Sequence, residues 1–107
     1  MCGSAPGTDF SEKAVFNRVL ERMRATIHQR EYVMTVHAAE EMEDDDLTVL
    51  DVESGVLTGQ IVERQRDRST GEWKYLLRGE NLAGSKIVVA AKLSVTGKLV
   101  IITVYRD

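Results

Sequence analysis

Apolar residues recur at helical spacing in the first third of the chain: Val15, Phe16, Val19, Leu20, Met23 and Ile27. That period predicts an amphipathic helix over residues 10–29 with one core-facing stripe. Asp9 and Glu12 have the spacing of an N-terminal cap with a reciprocal partner. The opposite face carries Lys13, Arg18, Glu21, Arg22 and Arg24 and reads as a solvated surface. Tyr32–Val36 is a short β-prone run, and His37–Asp45 favours helix through its Ala, Glu and Met content. A further helix, capped by Asp46 or Thr48, places Val49, Val52 and Val56 on an apolar face beside Leu50 and Leu57. Gly59 suits its C-terminal stop.

After Gly59 the period changes to two. Four strands are expected, at Gln60–Arg66, Glu72–Arg78, Lys86–Val95 and Lys98–Arg106. The links between them contain Gly and polar turn formers, and their shortness implies antiparallel hairpins. The order is α-β-α-α-β-β-β-β, an α+β arrangement with a mainly antiparallel sheet packed on helices. The runs Ile87–Ala91 and Leu99–Val104 are nearly all apolar, so both faces of these strands are expected to be covered in the middle of the sheet. Gln60–Arg66 is more charged and fits a place nearer an edge.

At 107 residues with 43% hydrophobic content, the chain is expected to form one folded domain over 9–107 after a flexible leader at 1–8. No apolar run approaches the roughly 20 residues of a transmembrane helix, and the first residues lack the pattern of a secretory signal. The expectation is a cytoplasmic protein with no membrane partner. Cys2 is the only cysteine, which rules out an intramolecular disulfide and a cysteine-cluster zinc site. His28 and His37 do not have metal-ligand spacing, so neither a metal nor a cofactor is expected.

Charge divides along the chain. Residues 1–60 hold five Lys and Arg against twelve Asp and Glu, a balance of −7. Residues 61–107 hold nine against five, a balance of +4, which together give the net −3. The basic second half suggests an anion-binding surface, or strands kept soluble by their lysines and arginines. Lys74, Leu76 and Arg78 share one strand face, and Arg64, Arg66 and Arg68 also alternate. A basic stripe across two paired strands, or an ordinary solvent face, follows from that parity. The acidic run Glu40, Glu41, Glu43, Asp44, Asp45 and Asp46 reads as a solvated helix end.

His37 stands at the strand-to-helix junction, where unpaired backbone N–H groups give positive character. It is either a residue that exchanges protons near neutral pH or one that fixes the turn by hydrogen bonding.

The succession His37-Ala38-x-x-x-Met42, Leu47, Val52, Gly59–Glu63, Tyr75–Gly79 (Tyr-Leu-Leu-x-Gly) and Ile101–Tyr105 resembles a small bacterial family of domains of unknown function. Members of that family are often encoded beside zinc-finger antitoxins and are similar to the RelE and MqsR toxins, with their β-α-α-β-β-β-β core. The resemblance covers about residues 32–106, with the helix at 10–29 as an addition. It implies a RelE-like fold and a metal-free endoribonuclease of a toxin–antitoxin pair, in which the RNA 2′-hydroxyl attacks the adjacent phosphate. That chemistry needs a base, an acid and cations for the phosphorane. The resemblance implies His37, Lys92 and Tyr105 as catalytic residues and Arg64, Arg66, Lys74 and Arg78 as RNA-binding residues. The implied partners are an antitoxin, RNA and a second copy of the chain.

This sequence departs from the family pattern where relatives carry arginines. Ala39 and Glu41 follow His37, and Asp45-Asp46-Leu47 stands before the next helix. Acidic residues there oppose phosphate binding. A non-catalytic module that keeps the fold and binds a protein is therefore the second reading. A small-molecule pocket between sheet and first helix is the third.

Overall fold

The computed structural model describes residues 7–107, with side chains from residue 13 onward. Helix α1 spans Gly7–Gln29, strand β1 Tyr32–Met34, helix α2 Val36–Asp44 and helix α3 Val49–Thr58. Strands β2 (Gln60–Arg66), β3 (Trp73–Glu80), β4 (Lys86–Leu93) and β5 (Leu99–Arg106) follow. The first six residues of the expected leader lie outside the described residues, and its last two open α1. The Asp9–Glu12 cap rests on side chains that also lie outside them.

Local chemistry sets the breaks between the helices. α1 ends with Arg30 in the left-handed region (φ 58°), where Glu31 N–H reaches the Thr26 carbonyl at 2.8 Å and Arg30 N–H the Ile27 carbonyl at 3.1 Å. This Schellman pattern satisfies the last carbonyls of the helix. α2 ends in the same way. Asp46 has φ 57°, Leu47 N–H binds the Met42 carbonyl at 2.7 Å and Asp46 N–H binds that of Glu43 at 3.2 Å. Asp46 therefore closes α2, and the cap of α3 is Thr48, in a complete capping box with Asp51.

The five strands form one sheet in the order β1-β5-β4-β3-β2. β1 runs parallel to β5, and every other pair is antiparallel. β2 is an edge strand, as its charge predicts, while β4 and β5 are interior. One sheet face packs Tyr75, Leu77, Ile87, Val89, Leu99, Ile101 and Val104 against Leu20, Met23 and Ile27 of α1 and Val52 and Val56 of α3. Phe16 meets Tyr75 edge-on at 6.3 Å. Arg24, expected on the solvated face of α1, instead donates to the Gly59 carbonyl at 2.9 Å and caps the end of α3.

No described helix packs on the other sheet face, yet β4 is buried on both faces as expected, while β5 is buried on the helix side and half-buried to exposed on the other. On that other face the central positions Val88 and Ala90 are only 4% and 3% exposed. Among the described residues, no helix is long and apolar enough to cross a membrane.

Candidate functional site

β1 accompanies β5 only as far as the Met34–Ile101 pair. Thr35 then turns the chain into a helix. Its N–H donates to the Ile101 carbonyl at 3.0 Å, its hydroxyl to the Ile102 carbonyl at 3.0 Å, and its Oγ1 accepts from Ala38 N–H at 3.1 Å. Ile102 is the extra residue of a bulge, since Ala90 pairs with Thr103 while Ala91 pairs with Ile101. α2 takes over where β1 stops and lies along the remaining edge of β5.

That edge presents backbone N–H groups, and α2 supplies their acceptors. Glu41 Oε1 accepts from Val104 N–H at 3.0 Å and from the Thr103 hydroxyl. One turn later, Asp45 Oδ2 accepts from Arg106 N–H at 2.9 Å, and Arg106 Nε donates to the Asp45 carbonyl at 2.9 Å. His37, one turn before Glu41, brings Nε2 to 3.4 Å from Glu41 Oε2 while its side chain stays 68% exposed. The imidazole thus pairs with a carboxylate rather than with backbone.

The uncovered sheet face carries Tyr105, Arg78 and Lys92. One row across it is Tyr105, Val88, Arg78 and Gln60; the next is Thr103, Ala90, Leu76 and Glu63. A third sets Val33 beside Val100 and Val100 beside Lys92. Two cations of this region are already paired. Lys92 Nζ stands 2.7 Å from Glu72, and Arg78 Nε 2.9 Å from Asp107. The hydrogen bond from Lys92 pulls the Glu72 carboxyl below its ordinary range, and Glu72 in turn pushes the Lys92 ammonium above its own. No described hydrogen bond or ion pair joins any two of His37, Lys92 and Tyr105.

Arg64 and Arg66 do not join Lys74 and Arg78 in one stripe. They register opposite Tyr75 and Trp73, on the helix-bearing face. Both guanidinium carbons stand over the Trp73 ring, at 4.3 and 4.5 Å from its centroid, a cation–π cluster on a half-exposed indole. The cause is a second bulge. Ile61 pairs with Leu77 but Glu63 with Leu76, so the inserted Val62 reverses the parity of every later β2 residue.

Sequence reasoning missed the carboxylates that hold this region together: Glu41, Asp45, Glu72 and Asp107. A signal for two of them was present, because His37, Glu41 and Asp45 are spaced at i, i+4 and i+8 and must share one helix face. Among the described residues, no group of three or more His, Cys, Asp and Glu side chains converges as a metal site.

Residues 34–106 match the family described as domain of unknown function, DUF4258. The span starts at the end of β1 and takes in α2, α3 and strands β2 to β5, leaving α1 outside. Comparison with curated proteins and with solved structures found no match.

Proposed function

The chain belongs to the DUF4258 family of domains of unknown function, and from its resemblance to the RelE and MqsR toxins together with the make-up of its sheet face we propose that it is a toxin-like module whose uncovered sheet face binds a basic protein partner. The observation that carries this reading is that Lys92 and Arg78 are both neutralised within the chain. RNA affinity depends on cations left for phosphate. With these two engaged, the face offers Leu76, Val100 and Tyr105, with Val88 and Ala90 buried between them, inside a polar rim, the anatomy of a protein interface. The exposed carboxylates of Glu40, Glu43 and Asp44 on α2, and of Asp46 just beyond it, favour a basic partner. An antitoxin is the partner class that the RelE and MqsR resemblance implies.

The test is co-expression with the protein encoded beside it, followed by size-exclusion mass measurement. A complex that Tyr105→Glu or Leu76→Glu abolishes, with the fold intact by circular dichroism, supports the reading. A homodimer sensitive to the same changes replaces the antitoxin by a second copy. A complex indifferent to both substitutions, or a strict monomer, overturns it.

One observation favours the ribonuclease reading: His37 is exposed and oriented by Glu41, the arrangement of a general base held by a carboxylate. In that reading His37 takes the proton of the RNA 2′-hydroxyl, Lys92 with Lys74 and Arg78 offsets the phosphorane charge, and Tyr105 donates to the leaving oxygen. Arg64 and Arg66 hold RNA beyond the β2 edge. Induced expression of the wild type beside His37→Ala and Lys92→Ala separates the readings. Growth arrest with cleaved messenger RNA in the wild type alone supports catalysis, and equal growth with intact messenger RNA in all three removes it.

A further inference from the structure

α3 turns a second stripe away from the sheet. Leu50, Glu53, Ser54 and Leu57 recur at i, i+3, i+4 and i+7 and therefore share one side of the helix. Together with Thr58 and with Leu82 of the β3–β4 turn, they line a groove of about 300 Å³. That volume is at the lower end of small-ligand sites. The turn forming its far wall is held in place: Leu82 N–H donates to Asp51 Oδ1 at 3.0 Å, and Asn81 Oδ1 accepts from Ala83 and Ser85.

The hydrogen-bonding capacity of the groove is one-sided. Ser54 Oγ donates to the Glu80 carbonyl at 2.8 Å. Thr58 Oγ1 donates to the Ser54 carbonyl at 2.8 Å and accepts from Glu80 N–H at 2.9 Å. The Tyr32 hydroxyl donates to Glu53 Oε2. Every side-chain donor at the groove is thus engaged, and Glu53 Oε1 has no hydrogen-bond partner among the described residues. An apolar groove with one open carboxylate oxygen and no open donor selects a ligand that brings its own donors and a positive charge.

We infer that this groove is a binding site for an alkylammonium ligand, its hydrocarbon chain between Leu50, Leu57 and Leu82 and its ammonium on Glu53. The site is separate from the sheet face and does not rest on the function proposed for that face.

Amide NMR titration of the full chain with n-hexylammonium, n-hexanoate and 1-hexanol tests it. Hexylammonium shifts the amides of residues 50–58 and Leu82 and binds about tenfold tighter than either analogue, the discrimination that one ion pair supplies. Glu53→Gln keeps an acceptor for Tyr32 but removes the charge, and it weakens hexylammonium binding about fivefold or more. Leu82→Ser, at an exposed turn position, weakens it without unfolding the protein. Equal binding of 1-hexanol, unchanged affinity in Glu53→Gln, or no shifts at these amides overturns the inference.

Discussion

The Glu41 carboxylate accepts the backbone N–H of Val104 at 3.0 Å, so a helix side chain takes the place of a neighbouring strand. Asp45 does the same for Arg106. The spacing explains why a helix can stand in. Four helical residues rise about 6 Å, and two strand residues advance about 6.7 Å. Carboxylates at i and i+4 therefore meet N–H groups at j and j+2. Removing Glu41 leaves the Val104 N–H and the Thr103 hydroxyl without their acceptor. Glu41→Ala is expected to destabilise the fold by about 1–3 kcal/mol, and Glu41→Gln by less, because its amide oxygen still accepts. Urea unfolding midpoints check both. A Glu41→Ala midpoint equal to wild type would mean that water satisfies the edge of β5 equally well.

Asp46 closes α2 with φ 57°, a conformation that glycine adopts without steric cost. Asp46→Gly is expected to stabilise the protein by up to about 1 kcal/mol, the left-handed strain relieved less the extra entropy glycine loses on folding. An unchanged or lower urea midpoint would show that the Asp46 side chain contributes more than its backbone costs.

The Tyr32 hydroxyl, pushed up to about 12 by burial and by its hydrogen bond to Glu53, sets an alkaline limit on stability. The folded value lies above the ordinary value of 10.0, so the folded state holds this proton more tightly. That contribution is complete below pH 10 and is lost as pH rises towards 12. Spectrophotometric titration is expected to find one of the three tyrosines ionising near 12, and Tyr32→Phe to remove that step and flatten stability between pH 10 and 12. At the acid end the sign reverses for Glu72 and Asp51. Both carboxyls are depressed in the fold, Glu72 by Lys92 and Asp51 by the Thr48 and Leu82 N–H groups. Their support is present above the ordinary carboxylate range and is lost as pH falls below that range through the lowered folded values.

Periodicity and capping chemistry carried much of this fold in legible form. β2 falls on Gln60–Arg66, where alternation and charge place it, and the Thr48–Asp51 box starts α3. The acidic run of α2 was legible as helix but not as structure. Its role depends on β5 lying alongside, a pairing more than sixty residues distant in sequence. The basic stripe failed for a smaller reason. Without the Val62 bulge, Arg64 would fall opposite Lys74. One inserted residue carries Arg64 and Arg66 to the opposite face, onto Trp73. Nothing in the local composition of Ile61-Val62-Glu63 marks that insertion.

Gly79 ends the Tyr-Leu-Leu-x-Gly segment and lies where β3 passes directly beneath α3. A Cβ there would stand 2.2 Å from the Gly55 carbonyl oxygen and 3.0 Å from Gly59 Cα, and both obstacles are backbone. Neither can swing aside as a side chain can, so α3 must lift from the sheet. That movement would loosen Val52 and Val56 in the core. Gly79→Ala is expected to cost about 3 kcal/mol or more, at the severe end of overpacking. Gly71 supplies the contrast. It has φ +76°, yet a Cβ added there would meet nothing within 4 Å, so Gly71→Ala is expected to cost only about 1 kcal/mol through backbone strain. Thermal unfolding of the two variants side by side checks the difference. Equal midpoints would show that α3 can shift at little cost, and that close approach of helix and strand backbones is not what this glycine provides.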